Sequence, residues 1–221
     1  SFNGVNAKVT IPDAAALRLT TGMTLEAWVQ PTAVTSAWRD VIYKGDDNYY
    51  LMATTDRNGF PGTGGTVGIV HQNAFGTAPL PLNTWTHLAA TFDGETWRLY
   101  VNGTQVATTP QSGSLVGSAN PLEIGGDSIF GQFFEGLIDE VRVYNVALTP
   151  GQIQADMATA VGSSSPAVSL SASSVDFGSH PVGTTSAAIP VTLTNGGTVS
   201  LIVSAISIGG SQATEFSQTN N

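Results

Sequence analysis

The stretch TWTHLAATFDGETWRLYVNGTQVATT, residues 84–109, carries the clearest fold signal in the chain. It consists of strand-like runs separated by the dipeptides Asp93-Gly94 and Asn102-Gly103. Both dipeptides tolerate the positive φ angles of a tight hairpin turn, which joins adjacent antiparallel strands. The stretch therefore predicts three consecutive antiparallel strands.

The run MTLEAWVQ, residues 23–30, shows the same two-residue period ahead of this region. Leu25 and Ala27 share one face of the predicted strand, and Glu26 and Trp28 share the other. Because both faces carry bulky side chains, we expect this strand to lie inside a sandwich of two sheets. The runs WRDVIYKG, NYYLMATT and TVGIVHQ predict further strands.

The run ALTPGQIQAD, residues 147–156, predicts one helix. Thr149 can cap its N-terminus, Pro150 suits the first helical position, and Gln152 completes a capping box. The chain otherwise has 25 Gly and 11 Pro, which favour turns over long helices, so we exclude an all-α fold.

The chain has few charged residues and a negative net charge. Its formal charge of −9 repels a phosphate backbone, so we exclude nucleic acid as a partner. It has no cysteine, which excludes disulfides and thiolate sites. No stretch approaches the roughly 20 apolar residues of a membrane span, so we expect no membrane insertion. Because the chain does not begin with Met, we expect a piece of a longer secreted precursor with an extracellular or cell-surface location.

The composition changes near Gly162. All Lys, Arg and Trp residues precede it, whereas the later charged residues are Asp176 and Glu215. The segment GSSSP, residues 162–166, is typical of a linker, because Gly and Ser leave the backbone free and Pro stops a preceding helix. We therefore predict a first domain at residues 1–161 and a second at residues 167–221.

Several segments of the first domain resemble the bacterial laminin-G-like, concanavalin A-like jelly-roll domains. They are SFNGVNAKVTIP, LEAWVQP, WTHLAATFDGETWRLYVNG, LEIGGD and FEGLIDEVRVYNVALT, which follow one another along residues 1–149. The resemblance covers the chain to about Val161. It implies an all-β fold with two antiparallel sheets packed face to face, a common frame for extracellular recognition of glycans and proteins.

The second domain resembles the first half of an immunoglobulin-like domain of the choice-of-anchor type. The segments that carry the resemblance are VDFGSHPVGTTS, VTLTNGGT and EFSQTNN. A complete immunoglobulin-like sandwich needs about 100 residues and seven strands, so we expect a partial β-sandwich after the jelly roll. Its uncovered apolar faces would be covered by the first domain, by a continuation beyond Asn221, or by a chain–chain contact through residues 167–221.

Catalysis is not favoured by the acidic residues. The related glucanases use a Glu-x-Asp-x-x-Glu pattern on a central strand, and neither Glu123 with Asp127 nor Asp139 with Glu140 reproduces it. The adjacent pair also points to opposite faces of a strand. We therefore predict that the protein is not an enzyme, with a glycan-active enzyme of the same fold as an alternative.

The resemblance also implies one structural calcium ion. Such domains use an amino-terminal F-Asp-G segment and the aspartate of an I-Asp-E segment, for which this chain offers Asn3, Gly4 and Asp139. Calcium prefers several oxygen ligands, some of them negative, so the asparagine weakens the expected site. The alternative is that Asn3 and Asp139 hydrogen-bond the first and last strands together.

A carbohydrate site needs aromatic faces for stacking and planar polar groups for the sugar hydroxyls. The predicted ligand-binding residues, which share a position near loops, are Trp38, Asp46, Asp47, Asn48, Tyr49, Asn73, Asp127 and Phe130. Arg39, Asp40, Arg57 and Phe75 complete the wider set, and His71 is expected to border it. The alternative is that Trp38 and Tyr49 belong to the core. We expect Trp28, Trp85 and Trp97 in the core, His87 to be hydrogen-bonded within a sheet, and Gly59–Gly65 to form a flexible loop.

These features predict a non-catalytic extracellular recognition module within a larger surface protein. Carbohydrate binding or adhesion is the expected role, and its partner is a glycan or another surface protein. A structural subunit of a filament, sheath or other extracellular assembly is the second alternative.

Overall fold

A computed structural model describes residues 1–162, 168–195 and 201–219. The chain divides into two compact units, Ser1–Val161 and Gly162–Asn221. No helix in the described part of the chain is both long and apolar enough to span a bilayer.

The first unit contains two antiparallel sheets of six strands each, which confirms the predicted two-sheet jelly-roll sandwich. Sheet I holds, in spatial order, β1 (Phe2–Asn3), β12 (Glu135–Tyr144), β3 (Met23–Pro31), β8 (Thr86–Phe92), β9 (Thr96–Val101) and β10 (Thr104–Pro110). Sheet II holds β2 (Val9–Ile11), β11 (Leu122–Ile124), β4 (Arg39–Lys44), β5 (Tyr49–Thr54), β6 (Gly62–Val67) and β7 (Val70–Phe75). A short 3-10 turn covers Ala15–Leu17.

The predicted triple-strand stretch forms β8, β9 and β10, which are neighbours in sheet I. Gly94 has a φ of 88°, and Asn102 and Gly103 have φ angles of 48° and 71°. The two dipeptides therefore form the turns that their residue types favour.

The core lies between the two sheets and is filled from alternate strand positions. Leu25 and Ala27 of β3 are fully buried there, as is Leu51 of β5 on the facing sheet. Trp97 stacks on Phe92 with ring centroids 4.6 Å apart, and its indole N–H donates to Gln111 Oε1 at 2.6 Å. The prediction that Trp97 belongs to the core is confirmed.

The other two strand tryptophans differ from expectation. Trp28 is half-buried on the outer face of sheet I, and Trp85 precedes β8 with 40% of its surface exposed. The expectation that Trp85 is a core residue was wrong. Two-residue alternation places a side chain on a face, but the sequence does not say whether that face is covered.

The predicted helix is α1 (Pro150–Met157), and its capping box is present. The backbone N–H of Gln152 donates to the Thr149 hydroxyl, and the Gln152 side chain accepts from the Thr149 N–H. Ile153 is buried against Ala89 and Tyr100 on the outer face of sheet I. The helix therefore covers part of that face.

The glycine-rich run at residues 59–65 is not a flexible loop, because Gly62–Gly65 form part of β6. A Cβ on Gly64 would lie 2.9 Å from the hydroxyl oxygen of Tyr50 and closer still to the carbonyl of Gln72. The absence of a side chain at Gly64 makes room for Tyr50 on the outer face of sheet II.

The second unit contains one small antiparallel sheet of β13 (Val168–Leu170) and β14 (Leu193–Asn195), and a 3-10 turn at Ala213–Glu215. No other strand occurs in this unit within residues 168–195 and 201–219. The linker beyond Gly162 and the end of the VTLTNGGT segment lie outside the described residues. The immunoglobulin-like assignment and a chain–chain contact through residues 167–221 therefore stay predictions.

Candidate functional site

A groove of about 210 Å³ lies on the outer face of sheet II. Its lining combines aromatic rings with polar side chains from two strands and three connecting segments. The lining residues are Trp38, Asp47, Tyr50, Met52, His71, Phe130 and Gln132.

The register between β4 and β5 places the floor of this groove. Tyr43 pairs with Tyr50, and Asp40 pairs with Met52, so these side chains share the outer face of the sheet. The ladder shifts between Asp40 and Ile42, which lets Ile42 face the core although it is two residues from Asp40. An irregularity of this kind re-aims the side chains of one strand.

The aromatic rings of the groove contact one another in a continuous series. Tyr43 and Tyr50 are stacked with centroids 6.2 Å apart. Trp38 meets Tyr50 edge-on at 6.2 Å, and Phe130 meets Tyr43 edge-on at 6.3 Å. Phe130 is 52% exposed and Trp38 is half-buried, so the two ends of the series reach the surface. Outside the groove proper, Phe75 contacts Trp38 at 5.8 Å.

Polar groups line one edge of this aromatic series. The Tyr50 hydroxyl lies 2.8 Å from His71 Nε2, with the two rings stacked, and it donates to Asn73 Oδ1. The Tyr43 hydroxyl donates to Asp47 Oδ1 at 3.0 Å. Burial raises the pKa of both tyrosines, so their hydroxyls stay neutral and keep their protons.

A loop held by Asp127 carries Phe130 and Gln132. The Asp127 carboxylate accepts hydrogen bonds from the backbone N–H groups of Ile129 at 2.7 Å, Gln132 at 2.9 Å and Phe130. Burial by itself would raise the pKa of Asp127, but these donors hold it below its ordinary value. Asp127 is fully buried, so it supports the groove and does not line it.

Asp40 is a second buried carboxyl group next to this loop. Its side chain is fully buried, and within the described residues neither oxygen has a hydrogen-bond partner of normal geometry. Burial, followed by the proximity of the Asp127 carboxyl group, raises the pKa of Asp40 well above its ordinary value. Its surroundings therefore favour the neutral acid at Asp40.

The structure brings part of the predicted ligand set together. Trp38, Asp47 and Phe130 line the groove, and Asn73 lies at its edge through the hydroxyl of Tyr50. Asp46 is exposed in the turn beside Asp47. This turn is tight, since Gly45 and Asp47 have φ angles of 67° and 53°.

Besides Asp127, two members of the predicted set are buried and do not line the groove. Tyr49 is buried in the core between the sheets, and its hydroxyl donates to the carbonyl of Leu17 at 2.7 Å. Asn48 is buried, and its amide donates to the carbonyl of Val116 at 2.8 Å. Neither side chain reaches the groove, because each is committed to packing or to a backbone group.

Sequence reasoning missed Tyr43, Tyr50, Met52 and Gln132. The signal for three of them was the alternation within WRDVIYKG and NYYLMATT, which places Tyr50 and Met52 on one face. The sequence does not show that this face is the outer one. His71, expected to border a site, lines the groove.

The residues implied for calcium do not form one site. Asn3 pairs with Glu135 in the β1–β12 ladder, so Asp139 is four residues further along β12. At about 3.3 Å per residue this separation is roughly 13 Å, too far for one ion to join them. Asn3 Oδ1 is also occupied, since it accepts from the N–H groups of Val5, Asn6 and Ala7, at 3.0 Å each. This geometry does not fit the implied ion, nor does it support the alternative of a direct Asn3–Asp139 contact.

Of the two acidic pairs considered for catalysis, Glu123 and Asp127 are engaged in structural contacts. Glu123 forms an ion pair with Lys8 and accepts from Ser128 Oγ at 2.7 Å. Asp139 and Glu140 line one cleft on the outer face of sheet I, so the prediction that they point to opposite faces was wrong. Across residues 1–162, 168–195 and 201–219, no three His, Asp or Glu side chains converge as metal ligands.

Two antiparallel sheets packed face to face define a jelly-roll β-sandwich. The sequence model of the concanavalin A-like lectin/glucanases superfamily matches residues 3–154, and the chain belongs to this family.

Several known proteins are similar to parts of this chain in sequence or in structure. Pappalysin-1 from Mus musculus is 38% identical to this chain over 80 residues, and pappalysin-1 from Homo sapiens is 36% identical over 80 residues. The matched segment forms 34% of this chain and 5% of pappalysin-1. A candidate carbohydrate-binding protein from Bacteroides ovatus superposes with a TM-score of 0.57 at 23% identity, over 69% of this chain and 45% of that one.

Domain 4 of an extracellular arabinanase from Geobacillus stearothermophilus, solved in complex with arabinotriose, is a second structural neighbour. It superposes with a TM-score of 0.52 at 24% identity, over 70% of this chain and 73% of that one. At these identities the two structural neighbours show the shared fold.

Proposed function

We propose that the first unit is a non-catalytic carbohydrate-binding module and that the groove on sheet II binds its ligand. The observation that carries the proposal is the aromatic series from Trp38 through Tyr50 and Tyr43 to Phe130, bordered by hydrogen-bonding side chains. The groove of about 210 Å³ is smaller than the 300–1,000 Å³ of typical small-molecule sites, which suits one sugar unit of a longer chain.

The two ends of the groove have separate roles in this proposal. The partly exposed rings of Trp38 and Phe130 stack on the apolar face of a sugar ring. Asp47 and His71 lie at the polar edge, with 4.0 Å between Asp47 Oδ2 and His71 Nδ1, and they bind ring hydroxyls. Since the Tyr50 hydroxyl is hydrogen-bonded to His71 Nε2, the polar edge is ordered before a ligand arrives.

The non-catalytic assignment rests on how the carboxyl groups are used. Asp40 and Asp127 are neighbours beside the groove, but both are fully buried. A glycosidase needs two carboxyl groups that reach the scissile bond. An extracellular role, including adhesion to glycan-bearing surfaces, is consistent with this module, and the carbohydrate-related structural neighbours support it.

The test compares two adjacent exposed side chains of one loop. Phe130 lines the groove, whereas Ile129, which is 49% exposed, does not. In affinity electrophoresis through soluble arabinan, xylan and β-glucan, Phe130→Ala and Trp38→Ala should each weaken binding about tenfold, as expected for an aromatic anchor. Ile129→Ala should bind like the wild type.

Two outcomes contradict the proposal. Equal retention of the wild type, Trp38→Ala and Phe130→Ala would remove the groove from the binding site. Release of reducing sugar from any of these polysaccharides by the purified chain, lost in Asp40→Asn, would show an enzyme.

A further inference from the structure

A second cleft of about 310 Å³ lies on the outer face of sheet I, on a different sheet from the groove. It is lined by Trp28, Trp85, Asp139 and Glu140. Two tryptophans and two carboxylates form this lining, and no aliphatic side chain belongs to it.

The strand register brings these residues together. Asp139 of β12 pairs with Trp28 of β3, and Trp28 pairs with His87 of β8, so the three form one row across the outer face. Trp85 precedes His87 by two residues and therefore shares that face. The cleft thus joins residues from three neighbouring strands of the sheet or their ends.

The Trp28 ring is positioned by its contact with the buried ring of His87 on the neighbouring strand. His87 contacts it edge-on with centroids 5.4 Å apart, and His87 is fully buried. Burial lowers the pKa of His87 to about 4, so the ring is neutral near pH 7. The expected hydrogen bond of His87 within the sheet is absent, since neither ring nitrogen has a partner among the described residues.

The two carboxylates of the cleft differ in how many hydrogen-bond and ion-pair partners they have. Glu140 accepts from Arg142 Nη2 at 3.3 Å and from the N–H of Val161, so its charge is matched. Asp139 is exposed, and it accepts from the N–H of Glu140 at 2.9 Å through Oδ1. In the part of the chain that the structure describes, its second oxygen, Oδ2, has no hydrogen-bond donor.

We propose that this cleft is a second carbohydrate-binding site, specific for neutral glycans. The exposed face of Trp85 stacks on a sugar ring, and Asp139 accepts a hydroxyl proton. Neither indole N–H of Trp28 and Trp85 has an acceptor among the described residues, so each is available to donate to a sugar hydroxyl. The inference extends the proposed function, but it does not require that the groove binds.

The chemistry of the cleft selects against other ligands. The carboxylate of Asp139, which forms no ion pair among the described residues, repels uronic acids and sulfated sugars. A quaternary ammonium ion would be attracted to the indoles and to Asp139, but it offers no acceptor for the indole N–H groups. A purely apolar partner would remove water from Asp139 without replacing its hydrogen bonds.

The test uses the indole N–H signals of the full chain in two-dimensional NMR. The chain has four tryptophans, and single Trp→Ala variants assign their signals. Titration with arabinan, xylan and β-glucan oligosaccharides should shift the signals of Trp28 and Trp85, also in the Trp38→Ala variant. In that background, Trp85→Ala should weaken binding about tenfold, and Asp139→Asn should weaken it measurably.

Leu82→Ala is the matched control, because Leu82 is 52% exposed near Trp85 in sequence but does not line the cleft. It should leave binding unchanged within twofold. Loss of all binding in Trp38→Ala would overturn the second site and leave the groove standing. Loss in Trp85→Ala with none in Trp38→Ala would instead support the cleft and contradict the groove. Unmoved Trp28 and Trp85 signals, or shifts caused by choline or polygalacturonate alone, would also overturn the inference.

Discussion

The buried carboxyl groups of Asp40 and Asp127 are neighbours beside the groove, and their surroundings shift their pKa values in opposite directions. Burial and the proximity of the Asp127 carboxyl group raise the pKa of Asp40, whereas backbone donors keep that of Asp127 low despite its burial. Both also contact Gln132, since its carbonyl accepts from the Asp40 N–H at 2.9 Å and its N–H donates to Asp127 at 2.9 Å. This pair therefore links β4, a strand of the groove floor, to the loop beside it.

Asp40→Asn should make the protein more stable at pH 8 and change little at pH 4. The unfolded carboxyl ionises as the pH rises above its ordinary pKa, while the folded one keeps its proton, so the stability of the wild type falls as the pH rises. A neutral amide removes this loss. Each 1 kcal/mol gained raises the Tm by about 2–4 °C in a chain of this length. Thermal unfolding at pH 4 and pH 8 measures the change in stability. Asp46→Asn, at an exposed position, is the control. An unchanged Tm of Asp40→Asn at pH 8 would show that Asp40 is ionised in the folded protein.

Glu26→Gln should raise the stability of the protein over a narrower pH range than Asp40→Asn does. Glu26 is fully buried under α1, and burial, followed by the charge of Asp156, raises its pKa to about 7. The wild type should therefore lose stability from about pH 5 up to and beyond pH 7, and the variant should lose less over the same range. Urea unfolding at pH 5, 6, 7 and 8 measures the slope. Equal slopes for both proteins would contradict the shifted pKa.

Asp127→Ala should loosen the loop that carries Phe130 and Gln132. Three backbone N–H groups lose their acceptor, which costs about 1–3 kcal/mol of unfolding free energy. Amide exchange at Ile129 and Gln132 should become faster, and glycan binding should weaken with it. Asp56→Ala, at an exposed position away from the loop, should change neither. Unchanged exchange at Ile129 would show that another contact orders the loop.

Gly64→Ala should disturb the groove floor. The new Cβ would meet the Tyr50 hydroxyl at 2.9 Å and a backbone carbonyl that cannot move away easily. Overpacking of this kind costs about 1–3 kcal/mol, and it should displace Tyr50 from His71. Gly117→Ala is the control, because its Cβ would meet Arg18 Cβ at an ordinary 3.7 Å. Equal Tm values for the two variants would rule out the close approach at Gly64.

Calcium should not change the stability of the protein through Asn3 and Asp139. The two residues lie four positions apart along the β1–β12 ladder, and Asn3 Oδ1 already caps three N–H groups. The Tm should be the same in millimolar calcium and in chelator, for the wild type and for Asp139→Ala. A rise of the wild-type Tm with calcium that Asp139→Ala removes would contradict this geometry.

Local patterns determined most of the sandwich. The Asn102-Gly103 turn and the capping box of Thr149 and Gln152 each depend on residues within four positions of one another, so the sequence alone predicts them. The two-residue period of β3 likewise assigns Leu25 and Trp28 to opposite faces.

The site depended on the tertiary structure. Tyr49 and Tyr50 are adjacent and must point to opposite faces, but only the packing of sheet II on sheet I decides that Tyr49 enters the core and Tyr50 the groove. Gln132 joins the groove from a loop more than 80 residues away in sequence, because the Asp40 N–H binds its carbonyl. Alternation assigns side chains to faces, but it does not say which face is covered, and no local pattern encodes a contact between distant segments.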